Sequence, residues 1–104
     1  MASRHLASES FEREILQSER PTLVDFYADW CDPCRAVAPV LDELAHELEG
    51  RANVVKVDVD ESPKLANQYG VQAIPTFIVI RNGKATTKLV GIQSKQALAK
   101  AVAA

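Results

Sequence analysis

Two stretches of this chain, Thr22–Ala28 and Asn53–Val59, are apolar on both of their alternating faces, with one long amphipathic segment between them. Runs of that kind suit strands buried from both sides, the habit of parallel sheets covered by helices. In the segment between, Val37, Val40, Leu41, Leu44 and Leu48 recur at helical spacing. Asp42, Glu43, Glu47 and Glu49 lie opposite them and Gly50 is a stop, so a helix is expected from about Pro33 to Glu49. Pro39 falls inside it, where a missing backbone hydrogen bond and a crowded preceding turn imply a kink. Strand, helix, strand makes a parallel, right-handed βαβ unit. Each strand carries one misplaced charge, Asp25 in the first and Lys56 in the second.

Beyond Val59 the pattern changes. Ser62 and Pro63 suit the N-cap and first turn of a short helix through Leu65, Ala66 and Tyr69, closed by Gly70. Thr76 to Arg81 supplies Phe77, Ile78, Val79 and Ile80; Asn82-Gly83 follows, then a β-prone run through Thr86, Thr87, Leu89 and Val90. Asn-Gly between two strands signals a hairpin, because the tight turn needs two residues tolerant of positive φ. Ser94 is expected to cap a last helix with Ala97, Leu98, Ala101 and Val102 on one side. Ser8 or Ser10 is expected to cap an opening helix through Phe11, Ile15 and Leu16, with room for a short strand before it. The expected fold is α/β: a central mixed sheet of four or five strands flanked by helices on both faces, one domain over residues 1–104.

Composition narrows the function. At 104 residues, with 47% hydrophobic and 25% charged residues, the chain can build a core and is neither a disordered tail nor collagen-like. A net charge of -2 with signs mixed along the chain leaves no basic footprint for nucleic acid. No apolar run reaches the ~18 residues that span a bilayer, and Met1 to Ser10 lacks the apolar stretch of a secretory signal. A soluble cytoplasmic monomer without bound cofactor or metal is the expectation. Two cysteines, Cys31 and Cys34, are too few and too close for a disulfide-stapled secreted domain. His5 and His46 are the only histidines, which leaves a four-ligand zinc site incomplete; both are expected on solvated surface.

The chemistry concentrates in Trp30-Cys31-Asp32-Pro33-Cys34-Arg35, right after the first buried strand and at the first turn of the long helix. Free N–H groups and the helix dipole stabilise an anion there, and the thiolate is the nucleophile. Cys31 is expected to be the exposed, attacking cysteine. Cys34, one turn on, is placed to attack the mixed disulfide that Cys31 forms and to expel the second thiol, which closes a cycle of thiol-disulfide exchange.

These residues resemble the thioredoxin family over nearly the whole chain, from Phe11 onward. The likeness runs through Val24-Asp25-Phe26, Trp30 to Cys34, Ala38-Pro39, Tyr69-Gly70-Val71, Ile74-Pro75-Thr76, Asn82-Gly83 and Val90-Gly91. It implies a protein-disulfide reductase, regenerated by a flavin-containing thioredoxin reductase. Asp25 matches the family's buried carboxylate beneath the disulfide. Burying a charge costs several kcal/mol unless it is paired or neutralised, so its pKa should rise, which suits a proton carrier for Cys34. Lys56 matches the partner of that carboxylate. Ile74-Pro75 resembles the family's cis-proline. Trp30, Asp32, Pro33, Ile74, Pro75, Val90, Gly91 and Ile92 match a docking surface for disulfide-containing proteins, although core packing is the stronger expectation for Val90.

The chain departs from the family at three places. Asp32 stands where Gly is commonest, Tyr27 where many members have Trp, and Ala73 where many have Gly. A carboxylate beside Cys31 opposes its thiolate and makes the couple more reducing, so Asp32→Gly is expected to raise the reduction potential. Two other functions compete: a disulfide oxidant or isomerase, and a binding subunit that uses only the apolar patch.

Overall fold

The period-two and period-3.6 patterns give a three-layer arrangement in which one sheet is covered on both faces. The computed structural model describes residues 4–5 and 8–104. Most of the opening stretch, and the His5 side chain, lie outside the described residues. The elements are β1 (Arg4–His5), α1 (Ser8–Phe11), β2 (Thr22–Tyr27), α2 (Asp32–Glu47), β3 (Asn53–Asp58), α3 (Pro63–Gln68), β4 (Thr76–Arg81), β5 (Lys84–Val90) and α4 (Lys95–Ala103). The helix α1 widens into a π-helical turn over Glu12–Leu16; Ser8 is the first residue of α1 and Ser10 lies within it, past the N-cap position.

The five strands lie in the order β1-β3-β2-β4-β5. β3 is parallel to β1 and β2, while β4 is antiparallel to both β2 and β5. Alternation along each strand divides the core in two. Leu23, Val54, Phe77 and Val79 pack with Val37, Leu41 and Leu44 of α2 and Leu98 of α4. Val24, Phe26, Val55, Val57, Ile78 and Ile80 pack on the other face with Phe11, Ile15 and Leu65. That division explains why β2 is apolar on both faces apart from Asp25 and Thr22.

Local signals set the ends of the elements. Ser94 accepts a hydrogen bond from the Ala97 amide and caps α4. Ser62 precedes α3 but its hydroxyl makes no capping bond. Asn82 and Gly83 have φ of 51° and 79°, the paired positive angles that the two-residue β4–β5 turn requires. The edge strand β5 is largely exposed and carries Lys84 and Lys88, charges that discourage pairing with another chain. Among the described residues no helix is long and apolar enough to cross a membrane.

Candidate functional site

The C-terminal end of β2 and the N-terminal end of α2 meet at the two cysteines. Cys31 is the N-cap of α2, in extended conformation, and its sulfur accepts the Cys34 amide at 3.3 Å. Pro33 stands in the first turn, where its missing N–H costs nothing and its φ suits the helix. Both cysteines are free thiols. The expected exposure of Cys31 does not hold: Cys31 is only 5% and Cys34 4% exposed. Capping turns the Cys31 side chain back over the helix end. There it packs with Ala28, Cys34 and Ile74, and its sulfur lies 3.8 Å from the Ile74 carbonyl oxygen.

Beneath the cysteines the sheet places Asp25. Residues alternate along β2, so Asp25 shares the α2 face with Leu23, and it is 1% exposed with Oδ1 lacking any hydrogen-bond partner. Parallel register sets Lys56 opposite it, and Phe77 flanks it on β4. Burial raises the Asp25 carboxyl from 3.8 to about 7, and the Lys56 charge offsets part of that rise. Lys56 is half-buried, its ammonium 4.3 Å from the centre of the Tyr27 ring. The Cys34 thiol is also pushed up, by burial first, then by its hydrogen bond with Cys31 and the nearby Cys31 and Asp25 charges. A cleft of about 90 Å³, lined among others by Tyr27, Asp29, Cys34, Arg35 and Lys56, reaches Cys34 from the side and is roomy enough for water.

Around the cysteines the structure joins several of the other expected positions. The Ile74-Pro75 bond is cis, and the Gly91 amide donates to the Pro75 carbonyl at 2.8 Å, which ties the end of β5 to the proline loop. Trp30 is 67% and Ile92 62% exposed. Val90 does not pack in the core; it is 54% exposed. It ends an edge strand, and alternation sends Leu89 toward the α2 and α4 layer while Val90 faces the uncovered side. Asp32 and Pro33 are exposed.

Two contacts were missed by the reading of the sequence. The Trp30 indole donates to Asp60 Oδ2 at 2.7 Å, and Arg35 pairs with Asp32. The first joins residues thirty apart and has no local signal; the second follows an i, i+3 spacing that a charge-pair scan of α2 would detect.

A mixed sheet whose longest helix begins at a buried dithiol, over a neutralisable carboxylate, defines a thiol-disulfide oxidoreductase. Residues 2–104 match the family model described as Thioredoxin. The chain is 45% identical to Thioredoxin 1 of Nostoc sp. over 97 residues, 93% of this chain and 91% of the relative. It is also 38% identical to the thioredoxin of Rickettsia felis over 96 residues, 92% of this chain and 91% of that one. Among solved structures, a mutant thioredoxin from Halobacterium salinarum superposes with a TM-score of 0.88 at 34% identity, covering 97% of this chain and 88% of that one. The chain belongs to the thioredoxin family, whose members exchange thiols and disulfides.

Proposed function

We propose that the chain is a cytoplasmic, single-domain protein-disulfide reductase in which Cys31 attacks and Cys34 resolves. The observation that carries this reading is the pairing of a capping Cys31 with a Cys34 held one turn away over a buried Asp25 whose carboxyl is raised to about 7, so that it can both take up and release a proton near neutral pH. In the first step the Cys31 thiolate bonds to one sulfur of a substrate disulfide, the substrate S–S bond breaks, and one substrate thiolate leaves. In the second, Cys34 gives its proton to Asp25, directly or through water in the adjoining cleft. Its thiolate then attacks Cys31 Sγ. The mixed disulfide breaks, the second substrate thiolate leaves and takes up a proton, and Cys31–Cys34 becomes the disulfide. Two electrons pass to the substrate.

Forming the mixed disulfide removes the Cys31 negative charge and the thiol hydrogen bond that help hold the Cys34 proton, so resolution becomes easier at the moment it is needed. Trp30, Ile74, Pro75, Val90, Gly91 and Ile92, with Asp32 and Pro33, form the docking surface for an extended substrate segment. Lys56 tunes Asp25. A flavin-containing thioredoxin reductase returns the electrons.

The test is the reduction potential of the Cys31 and Cys34 couple, followed by Trp30 fluorescence in defined thiol-disulfide buffers. A potential below the cytosolic glutathione poise supports a reductase. A potential at or above that poise makes the chain an oxidant or isomerase, and an unresponsive pair leaves only a binding subunit.

A further inference from the structure

The loop that carries the cysteines also carries an ion pair that the exchange steps above do not use. One nitrogen of the Arg35 guanidinium donates to the Asp29 carbonyl at 2.5 Å and the other to the Asp32 carboxylate. A single planar group therefore joins the residue two places before Cys31 to the residue just after it, and it borders the cleft that reaches Cys34. The Arg35 amide also donates to the Cys31 carbonyl at 3.1 Å, so the backbone from which the guanidinium extends is fixed relative to Cys31. Asp32 is the first residue of α2 and the immediate neighbour of the attacking cysteine. Alone, its carboxylate would oppose a thiolate on Cys31.

We propose that Arg35 is a positioning residue for the exchange reaction: clasped between Asp29 and Asp32, it holds the Asp32 carboxylate and cancels its charge beside Cys31. Cys31 then works next to a unit of no net charge, in which the Arg35 guanidinium offsets the reducing effect of the Asp32 carboxylate. The pair is exposed, with side chains 59% and 83% accessible for Arg35 and Asp32, so each charge acts through solvent and its effect is modest.

The inference rests on exchange at Cys31 and Cys34, and one experiment separates the two. The equilibrium constant with reduced and oxidised glutathione is measured at pH 8 for the wild type, Asp32→Asn, Arg35→Gln, Arg35→Lys and the double variant Asp32→Asn, Arg35→Gln. Asp32→Asn leaves the guanidinium unopposed and favours the dithiol by about two- to fivefold. Arg35→Gln leaves the carboxylate unopposed and favours the disulfide by a similar factor. Each is a shift of about 10 to 20 mV, in opposite directions. The double variant returns to within about twofold of the wild type, Arg35→Lys stays there as well, and the single shifts shrink at 1 M salt. A loop that is merely loosened moves both single variants the same way and the double variant further. That outcome, or an Arg35→Gln variant equal to the wild type, overturns the proposal. If the wild-type pair does not equilibrate with glutathione at all, the exchange reading fails and the proposal goes with it.

Discussion

Asp25→Asn removes a charge and keeps the shape of a group that is 1% exposed and leaves one oxygen without a partner. The folded protein holds this carboxyl at about 7, against 3.8 for the free side chain, a difference of about 3. At about 1.36 kcal/mol for each unit, the buried carboxyl opposes folding by about 4 kcal/mol once it is ionised in the folded protein as well, above about pH 7. The direction follows from proton counting. Between pH 4 and pH 7 the unfolded chain releases this proton while the folded chain keeps it, so stability falls as pH rises through that window and levels off above it. Asparagine does not titrate and takes no part in the fall.

Urea unfolding of the reduced protein from pH 3.5 to 8.5 measures both curves. The stability of Asp25→Asn relative to the wild type grows by about 4 kcal/mol from pH 4 to pH 8, whatever constant offset the buried amide adds. Because only the change with pH is read, packing differences cancel. A relative stability that is flat across the window would falsify the assignment of a raised, burial-driven carboxyl and remove the support for Asp25 as proton acceptor.

Further outcomes follow from the same geometry. Asp25→Asn slows resolution of a mixed disulfide at pH 7 by about 10²-fold, read by stopped-flow with a small aromatic disulfide. Cys34→Ser stalls after the first step, and intact-mass spectrometry finds one substrate chain bound through Cys31; Cys31→Ser forms no adduct. Lys56→Met removes the cation that lowers the Asp25 carboxyl, so its titration midpoint, followed by carboxyl NMR, moves upward from about 7. Asp60→Asn weakens the exposed Trp30 indole bond and raises KM for a protein disulfide by about threefold with little change in kcat.

Local elements were readable in the chain because their signals are local. Apolar residues on both faces marked β2 and β3 as strands buried from both sides, helical spacing marked α2, and Asn82-Gly83 marked the turn into β5. Each reports which face of an element is apolar, so the two core layers follow from period alone. The misplaced Asp25 and Lys56 were visible for the same reason, as polar residues in strands otherwise apolar on both faces. Where the reading failed, the missing term was a neighbour distant in sequence or a rotation of one side chain. Cys31 is buried because its cap geometry turns the sulfur inward against Ile74, and Val90 is exposed because it ends the edge strand and alternation sends Leu89, not Val90, toward the α2 and α4 layer.

By itself, then, the sequence determined the element order, the place of the dithiol at a helix N-terminus and the family. Those properties depend on spacing and on bonds within a few residues. Only the tertiary structure decided that Lys56 lies in register with Asp25, that Trp30 is latched to Asp60, and that Arg35 is free to clasp Asp32 and the Asp29 carbonyl together. Strand register and side-chain direction arise from the packing of the whole sheet against its helices, and periodicity carries no information about which charge meets which.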